Sequence, residues 1–240
     1  MTSTMILAAG RGTRLQELTA DTPKPLVPVA GVKPLRRTLG LLAYRGYSQT
    51  VVNAWYLADK IKKEAESVQN PLVTVIEESN LLDTGGGIKN ALSHLGTDPF
   101  LVINGDLIWS EEATPILAQL PGMFDPEKMD ALLVLIPLEH AQGYTKQGDF
   151  FMEEGGRLRL RQPDDGPAPY VYGCIQILHP RAFVGHDSSA FPLTDVYKTA
   201  ASQGRLYGVE YTGEWADMGT PEGMQAAGRI LGRIGSATVA

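Results

Sequence analysis

TMILAAGRGTR, residues 4–14, decides the architecture: an unbroken apolar run ends in two alanines, two glycines and two arginines. An aliphatic run without polar alternation reads as a strand buried on both faces, as in a parallel sheet covered by helices. Gly10 and Gly12 directly after that strand let ligand atoms reach bare backbone, and successive amides of a tight loop form a concave anion site. Arg14 adds a two-pronged grip on phosphate oxygens. The stretch therefore points to a polyphosphate ligand. Two familiar phosphate loops do not fit it. The third glycine of a dinucleotide fingerprint falls where Leu15 stands, and no glycine followed by lysine and serine or threonine completes a P-loop.

Working outward, the same texture recurs as TVVN (50–53), LVTVI (72–76), FLVI (100–103) and ALLVLI (131–136), with helical periodicity at 34–46, 57–68, 86–95 and 112–120 between them. This alternation predicts an α/β fold: a Rossmann-like open, mostly parallel sheet with right-handed crossovers and helices on both faces. Ligands of such sheets gather at the carboxyl ends of the strands. After Pro137 the pieces shorten to DFFMEE, RLRLRQ, YVYGCIQIL and LYGVEY, separated by turn-forming QG, GG, DDGPAP and TG. These predict hairpins and extended strands beside the sheet, a small β-rich substrate subdomain. One domain over 1–240 is expected, with a nucleotide half at about 1–137, a second half at about 138–219 and a closing helix at 220–235. Thr220 caps that helix and Pro221 takes its first position.

Composition removes other classes. Of 240 residues, 43% are hydrophobic and 20% charged, which disfavours disorder, collagen and coiled coil. A net charge of −6 argues against a nucleic-acid surface. Yet residues 11–45 carry seven Lys and Arg against two acids, a local +5, which suits a small anionic ligand. No apolar stretch approaches the roughly 18 residues of a membrane span. The start MTSTMILAAG lacks the features of a secretory signal, so a cytoplasmic location is expected. His94, His140, His179 and His186 show no zinc spacing with the single Cys174, which is read as a packing residue of a strand.

Three further stretches carry chemistry. In TPKPLVPVAG, Lys24 sits between Pro23 and Pro25, which hold it out of helix as a rigidly mounted point charge. Such a cation suits charge that builds on a phosphoryl group during transfer. LVINGD delivers Asp106 to a strand's carboxyl end, and WADMGTPE supplies a second carboxylate, Asp217. Magnesium needs few carboxylates when phosphate oxygens and water complete its shell. In LLDTGGGIKN, three glycines at a helix start leave room for a flat base against backbone.

ILAAGRGTRLQELTADTPKPLVPVAGVKPL resembles the signature of the sugar-1-phosphate nucleotidylyltransferases, and the agreement extends through LVINGD, GGG at 85–87, YG at 172–173 and WADMGTPE. The resemblance implies transfer of a nucleoside monophosphate from a nucleoside triphosphate to a sugar 1-phosphate, with release of pyrophosphate. It assigns Arg14, Lys24, Asp106 and Asp217 to catalysis, with the two aspartates holding Mg2+. The nucleotide is expected against Leu7, Ala8, Ala9, Gly10, Arg11, Gly12, Thr13, Arg14, Lys24, Thr84, Gly85 and Gly86. Glu17 departs from the proline of many members. Arg161 and Gln162 stand where hexose enzymes carry glutamate and lysine. The short length, TGGGI, QGDF and YGCIQILHP are similar to N-acetylmuramate 1-phosphate uridylyltransferases of bacterial cell-wall recycling, which puts Asn104, Asp149 and Gly173 at sugar contacts, with Arg161 a partner for a lactyl carboxylate. Mannose 1-phosphate and heptose 1-phosphate guanylyltransferases, and a non-catalytic nucleotide-sugar sensor, are the alternatives. Expected partners are the two substrates alone, without nucleic acid or membrane, the chain being monomeric or homodimeric.

Overall fold

The period-2 alternation of the strand side chains builds the molecule. In the computed structural model, which describes residues 3–237, β1 (Ser3–Leu7) sends Ile6 into one apolar core and Met5 into another. Met1, Thr2 and residues 238–240, the ends of the expected domain, lie outside the described residues. β2 (Gln49–Ala54) divides Val52 from Val51 in the same way, and β4 (Phe100–Asn104) divides Leu101 and Ile103 from Phe100 and Val102. A strand with apolar residues on both faces needs a cover on both. The first core is closed by Leu35, Leu39 and Leu42 of α1 (Pro34–Tyr44), Ile61 of α2 (Ala58–Glu66) and Leu117 of α4 (Ile116–Met123). The second is closed by Ile88 and Ala91 of α3 (Asp83–Leu95) and by Val196 and Ala200 of α5 (Leu193–Ser202).

The remaining strands of the main sheet are β3 (Leu72–Glu77), β6 (Ala131–Pro137), β9 (Tyr170–Leu178) and β10 (Leu206–Glu210), and its order is β10-β6-β9-β4-β1-β2-β3. All neighbours are parallel except at β9, which runs antiparallel to β4 and β6. The expected mostly parallel α/β sheet with helices on both faces is thus observed. LYGVEY, expected beside the sheet, is instead its edge strand β10, and YVYGCIQIL, expected there too, its interior strand β9. Its aliphatic run is buried for that reason. Only β7 (Phe150–Met152) and β8 (Leu158–Leu160) form a hairpin off the path.

From β1 the chain winds outward through β2 and β3, then returns to place β4 on the other side of β1. The strand order reverses there, and the carboxyl ends of β1 and β4 flank the crevice where such sheets bind ligands. A third, smaller core lies beside it. Two three-residue strands, β5 (Leu107–Trp109) and β11 (Trp215–Asp217), pair antiparallel and pack Ile108, Ala216 and Met218 against Ala226, Ala227 and Ile230 of α6 (Pro221–Ala237). The Thr220 hydroxyl accepts from Gly223 N at 3.1 Å, the expected cap of α6. Among the described residues no helix is long and apolar enough to cross a membrane.

Candidate active site

The crevice at the β1 and β4 ends is a cleft of about 420 Å³. One wall is the loop after β1. Leu7, Ala8, Ala9, Gly10, Gly12, Thr13 and Arg14 line it, as expected from the sequence. Gly12 has φ +67°, and a Cβ there would stand 3.1 Å from both Lys24 Cβ and Thr19 Cγ2, so glycine is required. Gly10 differs: nothing lies within 4 Å of where its Cβ would be, so the protein's own packing does not demand glycine at that position. The amides of Gly10, Arg11 and Gly12 have no hydrogen-bond partner among the described residues, which leaves three donors for an anion. Ala8 is not a fourth donor, because its N–H is taken by Asn53 Oδ1 at 2.9 Å. The loop then closes as a 3-10 turn over Thr13–Thr19, held by Thr19 Oγ1 donating to Gly12 O at 3.0 Å and by Tyr56 Oη donating to Thr19 O at 2.9 Å.

Lys24 enters from the next turn, with its ammonium 2.5 Å from Asp106 Oδ2; the lysine side chain is 8% exposed and the aspartate side chain 29%. Asp106 is carried by the turn between β4 and β5, where Gly105 N donates to Leu7 O at 2.8 Å and fastens the turn to the end of β1. A Cβ at Gly105 would stand 3.0 Å from that carbonyl. The register of the small ribbon, Leu107 opposite Asp217, then brings the second carboxylate to the same end as Asp106. Arg14 Nη1 lies 3.6 Å from Asp217 Oδ2. Its guanidinium covers Gly219, where a Cβ would come within 2.5 Å of it, and Gly219 N donates to Asp217 Oδ1 at 2.8 Å. Lys24, Asp106, Arg14 and Gly219 thus line one cleft, while Asp217 stays outside its lining and reaches it through its pairing with Arg14.

Cys174 belongs to β9. It sits where β9 bulges against β6, with φ +64°, a left-handed conformation uncommon for a side chain. Burial first, then Asp106 and Asp217, push its thiol well above the usual range, while Lys24 opposes them. That environment disfavours a thiolate nucleophile.

Both aspartates offer hard oxygen donors of the kind magnesium takes, and each now rests on a cation that substrate phosphates would also attract. Among the described residues no group of three or more His, Cys, Asp and Glu could hold a metal ion. Two carboxylates are therefore what the protein contributes, and a magnesium ion there would draw its other ligands from phosphate and water. The donor set fits.

A second wall comes from LLDTGGGIKN. Thr84 lines the cleft, with Leu81 and Asp83, but Gly85 and Gly86 do not. Their amides donate to Phe191 O, and a Cβ would stand 2.5 Å from the Phe191 ring at Gly85 and 2.2 Å from Ser189 O at Gly86. Close packing of α3 on the 189–191 segment accounts for both glycines. A buried relay joins this wall to the phosphate loop. Asn53 receives Ala8 N and donates to Glu78 Oε1 at 2.7 Å, and Glu78 Oε2 accepts Leu82 N at 3.2 Å. Arg11 leaves the cleft, its guanidinium 5.5 Å above the Tyr56 ring.

Of the four expected sugar contacts, Asn104 lines the cleft. Asp149 accepts from Tyr144 Oη at 2.8 Å and Tyr172 N at 3.0 Å, and burial with that bond pushes the Tyr144 phenol far up. Gly173 is buried beneath β6, where a Cβ would meet Val134 O at 2.9 Å. Arg161 turns to the loop after β8, donating to Gln147 Oε1 and Gly166 O at 2.5 and 3.0 Å. The sequence reading missed Asn53, Asp83, Tyr144 and Gly219. Asn53, Asp83 and Gly219 fall inside the quoted TVVN, LLDTGGGIKN and WADMGTPE, whereas Tyr144 has no such signal.

Comparison with known proteins agrees with this geometry. A family model described as nucleotidyl transferase matches residues 3–145. The N-acetylmuramate alpha-1-phosphate uridylyltransferase of Caulobacter vibrioides is 36% identical over 228 residues, covering 93% of this chain and 94% of that protein. The protein of the same name from Neisseria meningitidis is 32% identical over 95% of this chain and 97% of its own length. The crystal structure of HddC from Yersinia pseudotuberculosis has the same fold, with a TM-score of 0.77 over 96% of this chain and all of that one at 23% identity. A phosphate loop, a mounted lysine and two strand-end aspartates meeting at a switch point, carried on a chain matched along almost its whole length, have one reading: the protein belongs to the nucleotidyl transferase family, among its sugar-1-phosphate members.

Proposed function

We propose that this chain transfers a uridylyl group from UTP to N-acetylmuramate 1-phosphate in the bacterial cytoplasm, with magnesium. The observation that carries the reaction class is the pairing of Lys24 with Asp106 and of Arg14 with Asp217 around one cleft. The substrate choice rests on the two uridylyltransferases matched end to end.

In this reading a phosphate oxygen of the sugar 1-phosphate attacks the α-phosphorus of the triphosphate. The new O–P bond forms as the bond to the β-phosphate oxygen breaks, and pyrophosphate leaves with its electron pair. The nucleophile is already anionic, so no general base is required. Catalysis is alignment and charge neutralisation. The free amides of Gly10, Arg11 and Gly12 cradle phosphate oxygens. Lys24, shielded from water and fixed between two prolines, places its charge where it grows during transfer. Arg14, more exposed, follows the departing phosphates. Asp106 and Asp217 hold each cation in place and would hold magnesium, which supplies further neutralisation of the phosphates. Asn104 and Asp149 hold the sugar side.

The test is pyrophosphate release from UTP, GTP, CTP and dTTP against N-acetylmuramate, mannose, glucose and heptose 1-phosphates. UTP with N-acetylmuramate 1-phosphate is expected to turn over fastest. Preference for GTP with mannose or heptose 1-phosphate would overturn the substrate assignment, and release with no pair would favour a sensor.

A further inference from the structure

One wall residue is held in a backbone conformation uncommon for a side chain. Asp83 opens α3 with φ +60°, a region that costs an L-residue energy and that glycine occupies freely. Its neighbours impose it. Leu82 N is held by Glu78 Oε2, Leu82 O accepts from Phe191 N at 3.1 Å, and Thr84 Oγ1 accepts from Leu193 N at 2.9 Å. With the backbone fastened on both sides, Asp83 is left lining the cleft between Leu81 and Thr84. Its Oδ1 accepts from Thr84 N at 2.6 Å, and Oδ2 accepts nothing among the described residues. Gly10, Gly12 and Lys24 line the same cleft; with the triphosphate on those donors, as the nucleotidyl-transfer reading has it, the wall of Leu81, Asp83 and Thr84 is left for the base.

We propose that the Asp83 carboxylate reads the nucleobase, accepting from the ring N–H of a keto base. A carboxylate can only accept. Uracil and guanine present a ring N–H to such an acceptor, whereas the matching ring nitrogen of cytosine and adenine carries a lone pair that faces the carboxylate without a proton. Asp83 therefore selects uracil and guanine as a class over cytosine and adenine. The Asn53–Glu78 relay keeps this wall at a fixed distance from the phosphate loop, so the triphosphate sets where the base edge falls. The inference rests on the nucleotidyl-transfer reading of the cleft.

Equilibrium binding of UTP, GTP, CTP and ATP, with magnesium and without any sugar, tests it apart from turnover. Wild type is expected to bind UTP or GTP at least about tenfold more tightly than CTP and ATP, the worth of one hydrogen bond to a charged acceptor. Asp83→Gly is expected to bring all four within about threefold while melting no lower than wild type, since glycine is at ease at this φ. Asp83→Asn, whose amide can donate to an unprotonated ring nitrogen, is expected to improve CTP relative to UTP. Unaltered selectivity in both variants, or no selectivity in wild type, overturns the inference. Selective binding that Asp83→Gly abolishes, in a protein that releases no pyrophosphate with any sugar 1-phosphate, would uphold the base reader and sink the transferase assignment.

Discussion

Replacing Asp106 by alanine leaves the Lys24 ammonium 8% exposed and without the carboxylate now 2.5 Å away. Breaking a fully buried pair from one side costs about 3–5 kcal/mol, because the remaining charge has lost both water and partner. Asp106 is 29% exposed at an open cleft, and water can enter its place, so about 2 kcal/mol is the expected loss. For a chain of this length that is a fall of about 4–8 °C in Tm. Lys24→Met removes the charge but keeps the stem, and the remaining aspartate can face water. Its stability is expected within about 1 kcal/mol of wild type. The double variant Asp106→Ala with Lys24→Met is then more stable than Asp106→Ala alone, a reversal that no sum of independent losses produces. Turnover behaves otherwise. Lys24→Met is expected to lose about 10²–10³-fold in kcat, since a preorganised charge in a shielded site is removed. Denaturant titration reads the stabilities and single-turnover pyrophosphate release reads the chemistry. A double variant no more stable than Asp106→Ala would show that the Lys24 charge does not depend on Asp106, and a Lys24→Met enzyme of near-normal turnover would remove Lys24 from the chemistry.

Other expectations follow from single contacts. Gly10→Ala meets open space and should fold normally, but its methyl occupies the cleft, so nucleotide affinity measured by calorimetry should fall about tenfold or more. Gly219→Ala forces the Arg14 guanidinium away from Asp217, so kcat should fall at least about tenfold with Tm little changed, because the displaced group is the end of a flexible side chain. Glu64 is buried, which raises its pKa, but Lys33 at 2.6 Å and Arg36 outweigh burial and hold it below the usual range. A lowered folded pKa means stability present above the unfolded value of about 4.3 and lost as pH falls through the folded one. The stability gap between wild type and Glu64→Gln should therefore shrink on acidification below about pH 4, as read by denaturant midpoints.

The aliphatic runs made the sheet legible because strands covered on both faces have nowhere to place polar residues. The same rule hid the position of β9: YVYGCIQIL reads as a strand in either half, and sequence order does not reveal that it inserts between β4 and β6. Gly12, Arg14, Lys24 and Asp106 were legible since each sits at a strand end or between prolines. The ribbon of β5 and β11 was not, because three residues carry too little periodicity, yet its register is what carries Asp217 to Asp106. Gly85 and Gly86 have a packing role that the sequence does not show. Glycines suggested a ligand, and the structure uses them for contact with Phe191 and Ser189. Asp83 stands inside LLDTGGGIKN with nothing in the sequence to mark it, and its φ sets it apart.

In the proposed reaction one cleft brings a sugar phosphate oxygen directly onto the α-phosphorus of a triphosphate held by Lys24, Arg14 and the two aspartates. Turnover of N-acetylmuramate 1-phosphate labelled with ¹⁸O in its phosphate oxygens, using UTP with a chiral α-thiophosphate, tests it in one product. The account predicts label in the oxygen bridging the two phosphorus atoms, none in pyrophosphate, and inversion at the α-phosphorus. Retention at that centre, or unlabelled bridging oxygen, would contradict it.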